Sequence, residues 1–392
     1  MSLNPSRNKN LYLIFLTLAC VSGIGSFFVP ALFCFIIYYY KNKSIINIDI
    51  NSLKMYKSSI FFMFLFLAAL FISGFFSESD TWLKLVRNNF QRMLPFIFIL
   101  MGLNDKNDFE EKLKYILLGF CLGIFIICFS ALDKILIDGL YRPASIFGGP
   151  NILGGVLILI LPLIFAFSII MRKNTKLFIL SMICILVMLV TLLLIKSRGA
   201  WLGLGVMIVF LPFILYKIKK VSLKTFIIIE IILCVLALGT YYVFYEDLHR
   251  NYDFERPALR EIAWNMFLAN PLFGVGAGNF ISTYVNDNYV SPLANSKHIL
   301  THPHNIYFNY LSEHGIIGFS GFVILIGFQL KTLWKSILEY NIISIAMFLS
   351  IIGMLAHGWF DVCITARYYA MTYWLLWGMV LYIIKGGIEL NV

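Results

Sequence analysis

The amino-acid sequence predicts an all-α fold: a polytopic transmembrane helix bundle of about twelve spans with one large loop outside the bilayer. Three observations predict it. Hydrophobic residues make up 60% of the 392 and charged residues 13%, which is more apolar surface than a water-soluble globule encloses. The apolar runs are apolar on every side instead of striped at the 3.6-residue period of an amphipathic helix, as lipid-facing helices must be. The Lys and Arg residues behind the net charge of +11 are dispersed between those runs. They read as topology signals and exclude the clustered basic face of a nucleic-acid-binding protein.

A helix needs roughly 20 apolar residues to cross the hydrocarbon. Spans are expected near Leu11–Gly25, Ser26–Tyr40, Ser58–Phe76, Leu83–Leu103, Tyr115–Leu132, Pro150–Met171, Leu177–Ile195, Ala200–Tyr216, Thr225–Tyr245, Ile316–Leu330, Ile342–Phe360 and Tyr368–Ile384. The first two are short and close-coupled, and read as two tilted spans or as one hairpin. Residues 1–392 read as a single membrane domain that contains a large loop at 246–303. No internal repeat stands out, which disfavours the transporter folds built on inverted repeats. Six of the seven cysteines fall inside apolar runs and Cys363 lies near a span end without a partner, so no disulfide or metal framework is expected. No cleavable signal peptide is expected either, because the first apolar run merges into the second without a small-residue cleavage site.

Alternate loops carry the basic residues, among them Lys41, Lys43, Lys54 and Lys57, then Arg172, Lys173 and Lys176, then Lys217, Lys219, Lys220 and Lys224, then Lys331 and Lys335. The positive-inside rule therefore predicts that both termini are cytoplasmic and that the 246–303 loop is outside, on the periplasmic face of a bacterial inner membrane.

Ionisable groups at membrane depth are costly and are functional candidates by default. They gather on the outward side. Lys196 to Leu202 forms an outward turn, and Tyr141-Arg142-Pro143 through Gly149-Pro150-Asn151 opens a span from the same face. Arg260 and Trp264 sit on an expected helix over Ala258–Ala269. Pro271, Gly274, Gly276 and Gly278 make a turn-rich stretch after it. His302-Pro303-His304-Asn305 then precedes a helical pattern through Glu313, followed by Gly315 and Gly318. Each feature has a plain reading: an arginine snorkels to headgroups, a glycine permits a turn, a lone histidine is structural. The joint pattern carries more, because Arg142, Arg198, Arg260 and His304 come from distant parts of the chain to one face. Lys84, Arg87, Asn88 and Gln91 form a second polar stripe, either an interfacial anchor or a basic wall for a lipid phosphate.

At these residues the chain resembles the O-antigen ligase and O-antigen polymerase superfamily. The family's Arg-x-x-x-Leu motif appears as Arg198-Gly-Ala-Trp-Leu202, and its His motif, with ten residues before a Gly, as His304 to Gly315. Arg260-Glu-Ile-Ala-Trp264 with Asn270 through Phe280 is similar to the family's large periplasmic loop. Arg142 through Asn151 is similar to its upstream Arg/Asn-Pro-Asn segment, with Gly-Pro-Asn here. The resemblance covers about Tyr141 to Gly318, and four motifs in order carry more weight than any one.

The resemblance implies a GT-C-like architecture and an inverting, metal-independent glycosyltransferase with no cofactor. An O-antigen ligase moves glycan from undecaprenyl diphosphate to lipid A–core oligosaccharide. A polymerase joins lipid-linked repeat units instead. A diphosphate leaving group suits the planar fork of arginine, which points to Arg198 and Arg260 as its grip. The acceptor hydroxyl needs a base, and histidine titrates near neutrality, which points to His304. Arg142, Asn151, Asn305, Lys84, Arg87 and Trp264 are the expected substrate contacts. His302 and His314 are weaker candidates, and Glu313 is too far along one straight helix to touch His304. Glu78 with Asp80, and Asp253 with Glu255, are acidic pairs of a kind that binds divalent ions but is also common in solvated loops. A flippase of lipid-linked sugars stays open as a third class. It needs outward arginines but no base, and it predicts charges near the midplane, where Glu230 stands almost alone.

Overall fold

The computed structural model describes residues 10–41, 56–77, 81–103, 109–142, 145–146, 148–245, 255–286 and 302–386. Glu78, Asp80 and Asp253 lie outside the described residues, as do 246–254 and 287–301 of the large loop. Among the described residues there are fourteen α-helices and no strand. They are α1 (Leu11–Ser22), α2 (Phe28–Lys41), α3 (Lys57–Phe76), α4 (Trp82–Leu103), α5 (Phe109–Leu136), α6 (Pro150–Ile170), α7 (Thr175–Leu194), α8 (Arg198–Lys217), α9 (Leu223–Val243), α10 (Glu255–Ala269), α11 (Phe280–Asn286), α12 (Ile306–Ile337), α13 (Ile342–His357) and α14 (Arg367–Gly386). All but α10 and α11 coincide with the twelve expected spans, and the chain is an all-α polytopic membrane protein. Seven of the described helices are long and apolar enough to cross a membrane by length and composition. α1, α2 and α13 are shorter apolar helices, and α1 and α2 are separate, divided by Gly23 at φ 73° and a 3₁₀ turn.

The helices reverse direction at short turns, so one end of the bundle gathers the starts of α4, α6, α8, α12 and α14, and the other gathers their ends. α6 is the most enclosed of the seven long apolar helices. Gly154 and Gly155 let its neighbours approach: a Cβ on Gly154 would meet Ala200 and Ser197, and one on Gly155 would meet Cys363 and Tyr369. α13 packs against α6, α8 and α12, α3 packs against α12, and α14 packs against α4. α9 is the opposite case. It leans on α8 and has no buried residue, so lipid is its main surrounding.

α12 is broken. Gly315 has φ 59° and ψ −165°, a region open essentially to glycine alone. The helix is therefore two segments, 306–314 and 316–337, and the span expected from Ile316 is the second of them. The carbonyls and amides released at the break are taken up by the stretch after α10. Val275 N donates to Ser312 O at 2.8 Å, Gly276 N to Glu313 O at 3.0 Å and Ile316 N to Pro271 O at 2.8 Å. Gly278 N donates to Glu313 Oε1 at 3.1 Å. The glycines that read as a turn are thus a strap fixed to the break, and Glu313 serves the strap. Beside it, Leu259, Ile262, Ala263, Met266 and Phe280 form a small separate core against Phe308, which holds α10 on the first segment of α12.

Two glycines make this joint. Gly274 has φ 72°, and a Cβ there would lie 2.5 Å from the Glu313 carbonyl carbon; a Cβ on Gly315 would lie 2.5 Å from the Leu272 carbonyl carbon. Gly274→Ala and Gly315→Ala are each expected to cost on the order of 1–3 kcal/mol from backbone strain alone. The measurement is the melting temperature of the purified protein in detergent, which should fall for both, while Gly327→Ala, where a Cβ meets open space, should change it far less.

Candidate active site

The outward motifs of the sequence meet at one end of the bundle, around a residue that none of them contains. α13 ends at His357, and the chain turns through Gly358, Trp359 and Phe360 to Asp361 before the 3₁₀ turn Cys363–Thr365 and α14. Asp361 is buried. Its Oδ2 accepts from Asn151 Nδ2 at 2.6 Å, and its Oδ1 accepts from Val362 N at 2.8 Å. His302 Nε2 lies 3.2 Å from Oδ1, and His304 Nδ1 lies 3.5 Å from the same oxygen. Burial by itself raises the Asp361 carboxyl, but the bonds and charge of His302 and His304 outweigh it and hold the group well below the usual carboxylate range.

Each partner reaches this carboxylate for a local reason. Asn151 stands in the first turn of α6, after Pro150 at a position that suits proline. Its amide oxygen accepts from Arg142 Nη2 at 3.2 Å and from Ser197 Oγ at 3.1 Å. Ser197 precedes α8, yet its hydroxyl makes no cap bond there. His304 has φ 48° and Arg142 φ 55°, left-handed conformations that are uncommon for side chains of this size and cluster at functional sites. Asn305 then caps α12: its Oδ1 accepts from Tyr307 N and Phe308 N, and its Nδ2 donates to Trp359 O at 3.2 Å. With no exposed surface and both ends of its amide engaged, Asn305 positions the His304 turn. Asn151 is likewise engaged at both ends and ties Arg142 to Asp361.

Guanidinium groups line the same end. Arg198, the first residue of α8, lies over the Phe360 ring at 5.9 Å, and Arg256 of α10 lies over the same ring at 5.8 Å. Arg260 lies over the Trp359 ring at 5.4 Å and donates from Nη2 to Trp359 O at 3.1 Å. Desolvation lowers the Arg260 guanidinium from its ordinary value, which leaves it an ion for which an anion close by is a gain. A guanidinium over an aromatic face is favoured by the ring's electrostatics, and its planar fork suits recognition of an oxyanion. Gly199 allows the close approach of α8, since a Cβ there would lie 3.0 Å from both His357 and Phe360. Arg142, Arg198, Arg256 and Arg260 thus bring four guanidinium charges to the end that holds Asp361.

Residues 183–323 match the O-antigen ligase family model. The matched segment contains Arg198, Arg260 and His304 together with the strap and the break at Gly315. It supports a membrane enzyme of the lipid-linked-glycan ligase and polymerase kind. Arg142, Asn151 and Asp361 lie outside the matched residues and join it through the contacts above. No curated protein matches the chain.

The structure thus brings together Arg142, Asn151, Arg198, Arg260, His304 and Asn305. Among the described residues, no contact joins Lys84, Arg87 or Trp264 to Asp361. Lys84 and Arg87 are exposed on α4, and Trp264 is half-exposed on α10 with its ring edge-on to Phe308. His314 is buried against Tyr310 and lies inside the bundle. Asp361, Arg256 and the Trp359–Phe360 pair are what the motifs did not reveal, and His302, a weaker candidate in the sequence, lies 3.2 Å from Asp361. The available signal was an acid just past the end of a span, in a chain where acids at such depth are rare.

His302, His304 and Asp361 each offer one ligand atom, and these atoms lie within 4.8 Å of one another, so the trio has the donor set of a metal site. Two considerations weigh against a cation. Both carboxylate oxygens already accept hydrogen bonds, and the surrounding guanidiniums repel a divalent charge.

The depressed Asp361 carboxyl has a consequence for pH. Its folded value lies below its unfolded one, so the stability it contributes is fully present above the ordinary Asp value of about 3.9 and is lost as pH falls through the folded value. Asp361→Asn should lower the melting temperature at neutral pH. Wild type and variant should converge as the pH is taken below about 3.9. A gap that stays constant down that range would show that the carboxylate charge is not what stabilises the site.

Proposed function

We propose that the protein is an O-antigen ligase, an inverting and metal-independent glycosyltransferase that moves glycan from undecaprenyl diphosphate to lipid A–core oligosaccharide in lipopolysaccharide biosynthesis. The observation that carries this reading is the imidazole of His304 held through Nδ1 toward a buried carboxylate at the end of the bundle where four arginines gather. In this reading His304 Nε2 takes the proton of the acceptor hydroxyl as its oxygen attacks the anomeric carbon. The bond from that carbon to the diphosphate oxygen breaks, and the diphosphate leaves with the electron pair. Arg198 and Arg260 bind the growing negative charge, with Arg256 beside Arg198 on Phe360. Asp361 holds the imidazole in the tautomer that presents Nε2 and stabilises the imidazolium once it forms, as a buried aspartate does for a histidine base in other folds. A single displacement inverts the anomeric configuration.

The protein then lies in the bacterial inner membrane with both termini cytoplasmic and this site periplasmic, and the 246–303 loop belongs to the same membrane domain. The short span ends and the basic loops at the opposite end support that orientation. Lys84, Arg87 and Trp264 fit contacts to the flanks of two lipid substrates, away from the reacting atoms. The chemistry uses no metal, so transfer by purified protein should continue in excess chelator.

His304→Ala and Arg198→Ala are expected to reduce transfer by roughly 10²–10⁴-fold at matched membrane protein levels, and Asn305→Ala to lower protein yield instead. Deletion of the gene, followed by a lipopolysaccharide gel, tests the acceptor. A ligase is read from loss of all long chains with lipid-linked polymer accumulating. A single repeat unit left on the core would overturn that acceptor in favour of a polymerase.

A further inference from the structure

At the end of the bundle opposite Asp361, α3, α12 and α14 leave a cavity of about 680 Å³. Its polar lining includes Lys331 and Lys335 from α12, Lys385 from α14, and the hydroxyls of Ser58 and Thr332. Lys331 and Lys335 are four residues apart, so they share one face of α12. One acid, Glu339, lines the cavity against three lysines. Tyr56, Ser59 and Ser336 also line it near the helix ends, and Phe62, Phe328 and Ile324 line it further along α3 and α12. Phe62 and Phe328 stack there with ring centroids 4.2 Å apart, and Ile324 lies beyond them. Ile324 is seven residues from Lys331, roughly 10 Å along a helix. The cavity is therefore amphipathic along its depth, cationic at the helix ends and hydrocarbon-like inside.

We propose that this cavity binds one anionic glycerophospholipid, with its phosphate between Lys331, Lys335 and Lys385 and its acyl chains along Phe62, Phe328 and Ile324. Three lysines brought to one cavity repel one another, and a phosphate diester between them replaces that repulsion with attraction. Snorkelling to the general headgroup layer needs no cavity and no third helix. A recess in which cations from two helices cap an apolar interior fits a molecule with a charged head and two hydrocarbon tails. The site is remote from the transfer chemistry and does not depend on it.

The test uses the full chain, purified in detergent, with phosphatidylglycerol and phosphatidylcholine as probes. Native mass spectrometry should show one phosphatidylglycerol retained under conditions that strip phosphatidylcholine, and phosphatidylglycerol should raise the melting temperature more than phosphatidylcholine does. Replacing Lys331, Lys335 and Lys385 together by Ala should weaken retention by roughly a hundredfold. The Arg versions of the same positions should retain the lipid, as should Lys173→Ala with Lys176→Ala, at the same end of the bundle and outside the cavity. Equal retention of both lipids by the wild type overturns the proposal, whatever the variants do. So does loss of retention in the Lys173 and Lys176 control, which would mean a diffuse charge effect. An equal rise in melting temperature with inorganic phosphate alone overturns the lipid assignment and leaves a free-anion site.

Discussion

Asp361 is the constraint on which the described site depends. A carboxylate in a buried position is unfavourable unless its oxygens are supplied with donors. The chain supplies them from two remote places, Asn151 at the start of α6 and His302 before α12, and from the adjacent backbone amide of Val362, with His304 Nδ1 3.5 Å away. Each donor is then held by something else. Asn151 is fixed by Arg142 and Ser197, and the histidine turn is fixed by the Asn305 cap and its bond to Trp359 O. Without the carboxylate the start of α6 and the histidine turn would lose their common partner.

Much of this was legible in the sequence, and for physical reasons. Lipid imposes one rule on every span, so runs such as 150–170 and 175–194 declare themselves by length and apolarity alone. Arg198, Arg260 and His304 stood out because charge and imidazole are rare beside such runs. Asp361 did not, because a single acid in Trp359-Phe360-Asp361-Val362 matches no spacing and gains its meaning only from partners far away in the chain. Asn305 was visible as a polar neighbour of His304, but a cap and a substrate contact use the same amide group, and only the packing around it separates them. The break at Gly315 was half visible. The expected span began at Ile316 because the apolar run begins there, while the reason for the break, the strap from Pro271 to Gly278, lies in another segment.

The two ends of the bundle show the same physics used differently. At the Asp361 end, guanidiniums lie over aromatic faces, and Arg142 is tied to the buried carboxylate through Asn151. At the other end, flexible lysines surround a recess whose interior is hydrocarbon. The first suits the directed recognition of a reacting group, and the second suits retention of a molecule whose position along the cavity need not be exact to an ångström.

The attachment of the strap to the broken helix sets a dimension as well as a shape. It is made mostly of main-chain bonds, from Val275, Gly276 and Ile316 to carbonyls across the joint. It therefore does not rely on which side chains surround it. α10 carries Arg256 and Arg260, and the first segment of α12 follows directly from His304 and Asn305. Clamped together, the two helices behave as one rigid jaw, so the spacing from guanidinium to imidazole is set by the lengths of peptide hydrogen bonds. A thicker or thinner bilayer can tilt the spans beneath that jaw without changing its gauge.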